Sequence, residues 1–257
     1  LQILSSACSP NFEEVASAIQ GPKVYQLYLM GDEEWMDDII ERSVDAGYVG
    51  FCLTADTQVY SRRERDILKG YIPMSGRQAS AKVPAFNYQT TMSWDTVAHI
   101  KDKYSIPLIV KGVMDASDAA RCVEAGVDVV YVSNHGGRQL DHTKACIDAL
   151  PDVVEAVDGR VPVVVDGGFL RGADVVKALC LGATAVGMGR FEGFAMAAGG
   201  APALVQALKI LEHEVQITMA LLGVRTLEEL KSDLVERAEI MAPAHVTSAF
   251  PFLAEGY

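Results

Sequence analysis

Seven short apolar runs rich in β-branched residues recur along the chain, each followed by a segment of helical periodicity, and this alternation limits the fold more than any other feature. The runs are Leu1–Leu4, Val24–Leu29, Val49–Thr54, Pro107–Lys111, Val127–Val132, Val161–Val165 and Thr184–Met188. The amphipathic segments between them are Asn11–Ile19, Glu33–Asp45, Trp94–Tyr104, Ala116–Ala125, Lys144–Val157 and Ala173–Leu181. Continuous rather than alternating apolarity predicts strands buried on both faces, and strand–helix–strand order predicts parallel strands joined by right-handed crossovers. A doubly wound sheet and a (β/α)8 barrel both satisfy the pattern. An open sheet gathers its functional residues at one switch point, whereas a barrel draws them from the C-terminal ends of many strands. Here polar and glycine residues follow nearly every run: Ser5-Ser6, Thr54, Lys111-Gly112, Ser133 to Gly137, Asp166-Gly167-Gly168 and Gly189-Arg190. The distribution favours a (β/α)8 TIM barrel occupying residues 1–257 as a single domain.

Composition removes several function classes. Half the residues are hydrophobic and 22% are charged, a globular balance that excludes a disordered chain. With 34 acidic and 22 basic side chains the net charge is −12, and no long Lys/Arg run offers a footprint for nucleic acid. No window holds the roughly 18 apolar residues that span a bilayer, so no membrane role is expected. The five cysteines (Cys8, Cys52, Cys122, Cys146, Cys180) form no Cys-x-x-Cys pair, which predicts buried thiols in a reducing, cytoplasmic compartment. His99, His142, His213 and His245 lack metal-type spacing and are read as surface or packing residues, so no metal site is expected. Residues 67–93 contain no acidic side chain and three basic ones, and predict a long loop or lid. Beyond the last run, Ala203–Glu214 and Leu227–Ala238 are expected to be helical and 241–257 a loose tail.

The densest chemistry lies in Ser133-Asn134-His135-Gly136-Gly137-Arg138-Gln139-Leu140-Asp141, directly after a strand. A histidine three residues before an arginine in a glycine-bearing turn can aim both groups at one small substrate. The imidazole takes a proton near neutral pH, and the guanidinium grips a carboxylate through two parallel hydrogen bonds. Asp166-Gly167-Gly168 and Gly189-Arg190, after consecutive strands, offer backbone N–H groups and a cation suited to phosphate. Taken singly, each glycine cluster is an ordinary turn.

The Ser-Asn-His-Gly-Gly-Arg-Gln-Leu-Asp segment resembles the active-site segment of the FMN-dependent α-hydroxy-acid oxidases and dehydrogenases. The similarity continues through Gln26-Leu27-Tyr28, Thr54-Ala55-Asp56, Arg63, Val110-Lys111-Gly112, Asp166-Gly167-Gly168 and Gly187-Met188-Gly189-Arg190. The resemblance implies FMN as cofactor and oxidation of a small L-2-hydroxy acid to the 2-keto acid. It implies that His135 is the base, that Asp56 stabilises its imidazolium, and that Arg138 and Arg63 hold the substrate carboxylate. Tyr28 would contact the substrate and Lys111 the flavin N1–C2 edge. Ser5, Gln26, Thr54 and Ser133 would bond the isoalloxazine ring or ribityl chain, and Asp166, Gly167, Gly168, Arg171, Gly189 and Arg190 would lie at the phosphate end. A homotetramer is implied as well. The electron acceptor stays open between O2, a quinone and a redox protein.

The sequence departs from the family pattern at three places. The chain starts at Leu1 inside an apolar run, and the family's opening region with the first barrel strand is not visible, so an upstream segment or a second chain is expected to supply it. Leu170 stands where the family carries a phosphate-contacting arginine, with Arg171 one place later. Ala7 replaces a bulky aromatic of glycolate-type members, which implies room for a larger acid. Two alternatives remain beside the oxidoreductase: a flavin-binding but catalytically impaired scaffold, and another flavin-barrel enzyme of the isopentenyl diphosphate isomerase type.

Overall fold

The computed structural model describes residues 1–59, 61, 67–70, 87–140 and 142–238. Arg63, most of the expected 67–93 lid and the 241–257 tail therefore lie outside the described residues. The chain divides into two compact units, Leu1–Val164 and Val165–Tyr257.

Seven strands are hydrogen-bonded in chain order. They are β1 (Gln2–Ser5), β2 (Lys23–Leu27), β3 (Gly50–Thr54), β4 (Leu108–Val113), β5 (Val129–Val132), β6 (Val163–Val165) and β7 (Ala185–Val186). β1 to β5 pair in parallel, each with the strand before it. Every residue of β2 and β3 is buried, as continuous apolar runs require of a sheet covered on both faces. Leu27, Phe51, Leu53 and Leu108 are almost wholly removed from water, which stabilises the unit by about 1.5–3 kcal/mol per side chain. Leu53→Ala would cost about 2–5 kcal/mol through the cavity it leaves.

The helices of the first unit are α1 (Phe12–Ala18), α2 (Glu33–Asp45), α3 (Trp94–Lys103), α4 (Ala116–Glu124) and α5 (Cys146–Val157). Their starts follow from side-chain caps. Asn11 accepts from the N–H of Glu14, Asp32 from that of Trp35, and Asp115 from those of Ser117 and Asp118. Ser93 and Thr96 form a reciprocal capping box. α2 ends at Ala46, followed by Gly47 at φ 81°, a left-handed stop that a side chain would disfavour.

The second unit holds α6 (Gly172–Cys180) and α7 (Arg190–Leu222). Two expectations are corrected here. α7 is far longer than Ala203–Glu214, and it is broken at Gly199-Gly200, whose backbone angles are not helical. Its alanine-rich, charge-poor first part makes it long and apolar enough to cross a membrane by length and composition, a feature that a count of large apolar residues does not register. Leu227–Ala238 is not an α-helix but two short 3-10 turns, Leu227–Glu229 and Ser232–Leu234. The chain extends between them so that Leu230, Leu234 and Val235 reach the apolar cluster of Val176, Cys180, Val215 and Met219. Burial of these side chains overrides local helix propensity. All five cysteines are free, and four are buried.

Candidate active site

The polar residues at the ends of β1 to β5 converge within the first unit. Gln26 and Thr54 are buried and hydrogen-bonded side chain to side chain across β2 and β3. Ser133, fully buried after β5, accepts from the Lys111 ammonium at 2.8 Å. The same ammonium stands 5.4 Å from the centre of the Tyr131 ring. Ser5 ends β1, and its hydroxyl accepts from the Ala7 N–H at 3.2 Å. Buried polar side chains are held only where partners exist, so a layer of them at strand ends above an apolar core marks a built site.

The loop after β5 turns sharply. His135, Gly136 and Gly137 have φ of 57°, 69° and 71°, a left-handed run that a histidine adopts at a cost. Asn134 fixes the turn, accepting from the Gly137 N–H at 2.9 Å while its amide donates to the Lys144 carbonyl. The turn brings the imidazole between two strands' loops. His135 Nδ1 lies 3.3 Å from Asp56 Oδ1, and His135 Nε2 lies 3.2 Å from the Tyr28 hydroxyl. An ionised carboxylate only accepts, so Nδ1–H donates to Asp56, and in the neutral imidazole Nε2 is the lone-pair nitrogen, facing Tyr28. Oδ2 of Asp56 is buried with no hydrogen-bond partner among the described residues. A buried acceptor without a partner costs about 1–3 kcal/mol, which argues that this carboxylate is retained for chemistry rather than stability.

Arg138 lies exposed on the same loop, and its carbonyl accepts from the Ser61 hydroxyl at 2.5 Å. Two glutamines to which the sequence reading assigns no role tie the loops together. Gln89, buried, donates to the Thr54 carbonyl at 2.8 Å and accepts from the Leu29 N–H at 2.5 Å. Gln139 donates to the carbonyls of Asp56 at 3.2 Å and Val59 at 3.1 Å. Their partners are dozens of residues away, and no local pattern announces them.

In the second unit, Gly167 and Gly168 form a left-handed turn after β6, at φ 97° and 91°. Gly189 caps α7 and Arg190 is the helix's first residue. A Cβ added at Gly168 or Gly189 would meet no atom within 4 Å, so close packing is not the reason for glycine there. Arg171 has a partner on α7. Its guanidinium pairs with Glu214 of α7 through Nε at 2.9 Å and an Nη at 2.8 Å, and Glu214 also accepts from the Gly172 N–H at 2.7 Å. Partial burial works against the Glu214 anion, but these bonds outweigh it and hold the carboxyl below its usual range.

A parallel β/α fold with an imidazole, a carboxylate, a phenol and a lysine gathered at successive strand ends defines an enzyme whose site is built on strand C-termini. A sequence model of the family described as FMN-dependent dehydrogenase matches residues 1–237. Glycolate oxidase 3 of Arabidopsis thaliana is 39% identical over 248 residues, covering 90% of this chain and 67% of the relative. L-lactate oxidase of a Nostoc species is 34% identical, covering 91% of this chain and 70% of the relative. A crystal structure of mandelate oxidase with 3,3-difluoro-2-hydroxy-3-phenylpropionic acid superposes with a TM-score of 0.81 at 35% identity, over 90% of this chain and 68% of the other. The chain belongs to the FMN-dependent dehydrogenase family, and it spans about two thirds of the length of these relatives. Membership makes it an FMN-dependent oxidoreductase with the partial TIM-barrel architecture expected from the strand pattern.

Proposed function

We propose that the protein oxidises a 2-hydroxy acid to the 2-keto acid, with His135 as the base. The observation that carries this is the Asp56–His135–Tyr28 line, in which Nε2 faces the phenol and Nδ1 is backed by a carboxylate. FMN, when bound, supplies the two-electron acceptor. The residues present suit it: Gln26, Thr54 and Ser133 offer donors and acceptors for a heterocycle's polar edge, and Lys111 offers a fixed cation where negative charge collects. In the second unit, the N–H groups at Gly168 and Gly189 and the Arg190 side chain are suited to a phosphate. With Arg171 engaged by Glu214 and Leu170 beside it, that task falls to Arg190.

Nε2 of His135 takes a proton from the substrate, and Asp56 stabilises the resulting imidazolium. Tyr28 donates to the substrate oxygen and orients it, and Arg138 holds the carboxylate. Ala7 leaves room for a bulky side chain, which favours an aromatic or long-chain acid, in keeping with the phenyl-bearing ligand of the mandelate oxidase structure. The test is anaerobic addition of 2-hydroxy acids to the FMN-loaded protein while the visible flavin band is followed. Bleaching, faster with mandelate than with glycolate, supports the reading. A yellow protein that no 2-hydroxy acid bleaches overturns it, and faster bleaching by glycolate overturns the substrate class.

A further inference from the structure

We propose that Gln139 and Gly112 are positioning residues that set the place of Asp56 beneath His135. The inference rests on the reading of His135 as the base. Asp56 has an unusual support. Of its two carboxylate oxygens, Oδ1 faces His135 and Oδ2 has no partner among the described residues. Apart from its contact with His135, nothing among the described residues orients the carboxylate head, so its position comes from the backbone that carries it.

Two features fix that backbone. From above, the Gln139 amide donates to the carbonyls of both Asp56 and Val59, spanning the first turn of the loop after β3. Both acceptors are carbonyls, so the nitrogen end of the amide must face them. Gln139 lies four residues after His135 on the same loop, so one segment carries the base and the clamp on its carboxylate. From below, β4 changes register between Lys111 and Val113, and Gly112 sits there at φ 112°. A Cβ at Gly112 would come within 2.7 Å of the Asp56 nitrogen, 2.8 Å of its Cβ and 3.0 Å of its Cγ. Glycine is required there twice, by its backbone angle and by the approach of Asp56. The adjacent Ala55 N–H donates to the Lys111 carbonyl at 2.7 Å, which ties the two strand ends at this point. The aspartate is held between an amide clamp and a missing side chain.

The test is a double-mutant cycle on the FMN-loaded protein, turning over the 2-hydroxy acid that bleaches it fastest. Gln139→Leu should lower kcat about tenfold while KM changes less than about twofold, and in an Asp56→Asn background the same substitution should change kcat by less than about twofold. Gln139→Asn, which keeps the amide but draws it back, should lie between wild type and Leu. Gly112→Ala should reproduce the loss in kcat and its dependence on Asp56. A merely structural role would lower Tm and multiply with Asp56→Asn rather than vanish in its presence. Wild-type kcat in Gln139→Leu, or full additivity, overturns the proposal while leaving the base reading intact. A fully active His135→Gln overturns the base reading instead. Should Gln139→Leu fail to fold, the Asn and Gly112→Ala variants decide by the same criteria.

Discussion

His99 and His135, both in the first unit, each face an aspartate, and burial does not separate them. The His99 side chain is 23% exposed and its partner Asp37 14%, against 20% and 12% for His135 and Asp56. His99 even makes the shorter contact, 2.9 Å against 3.3 Å. The difference lies in what surrounds each pair. His99 sits on α3, with carboxylates on both nitrogens (Asp37 on Nε2, Glu33 at 3.5 Å on Nδ1), and Lys103 also pairs with Asp37. Both ring nitrogens of His99 face carboxylates. His135 has one nitrogen backed by a carboxylate and the other directed at a phenol, on a left-handed turn at a strand end. A histidine–aspartate contact is thus a common structural fastening, and a second nitrogen that faces a phenol instead of another carboxylate is what turns it toward proton transfer.

The contrast breaks if the two pairs respond alike to mutation. His135→Gln should lower kcat about 10³-fold with little change in Tm, read by steady-state turnover. Asp56→Asn should cost on the order of 10²-fold, because the imidazolium loses its counter-charge. Tyr28→Phe removes one hydrogen bond and should cost about tenfold in kcat/KM. His99→Gln should leave turnover unchanged and lower stability by at most about 1 kcal/mol in a denaturant titration. The smallest effect is a pH dependence of the same fastening. Burial opposes ionisation of Asp37, but hydrogen bonds from Lys103, His99 and Tyr104 prevail and hold its carboxyl below the usual range. A carboxyl lowered on folding stabilises above its unfolded value of about 4 and loses that contribution as pH falls through the lowered value. Tm should therefore drop more steeply below about pH 4 in wild type than in Asp37→Asn.

The features legible in sequence are those whose causes lie close together along the chain. α2 is found at Glu33–Asp45 as expected, because Asp32 caps its start and Gly47 stops its end. The His135 turn is announced by its own two glycines. The clamp of Gln139 on Asp56 spans 83 positions and that of Gln89 on Leu29 spans 60, and a lone glutamine in a loop carries no periodic signal. Gly112 reads as a turn glycine, and only three dimensions show which backbone leans on it. The pairing of Arg171 with Glu214, 43 positions on, is likewise silent in the sequence. The stretch from Leu227 has helical composition, yet its leucines are drawn into an apolar cluster that no local rule encodes.

The order in which the strands pair also bears on how the chain is made. From β1 to β5 each strand joins the one synthesised just before it, so a segment leaving the ribosome meets its docking edge already exposed. Assembly of this unit can run in the direction of translation, with contacts separated by tens rather than hundreds of residues. The passage from Thr54 to Leu108 is the longest between consecutive described strands, and the freshly formed edge of β3 waits through it for β4. That edge carries Thr54 and leads into Asp56, so the site's own carboxylate loop waits longer for the next described strand than the ends of β1, β2 and β4 do.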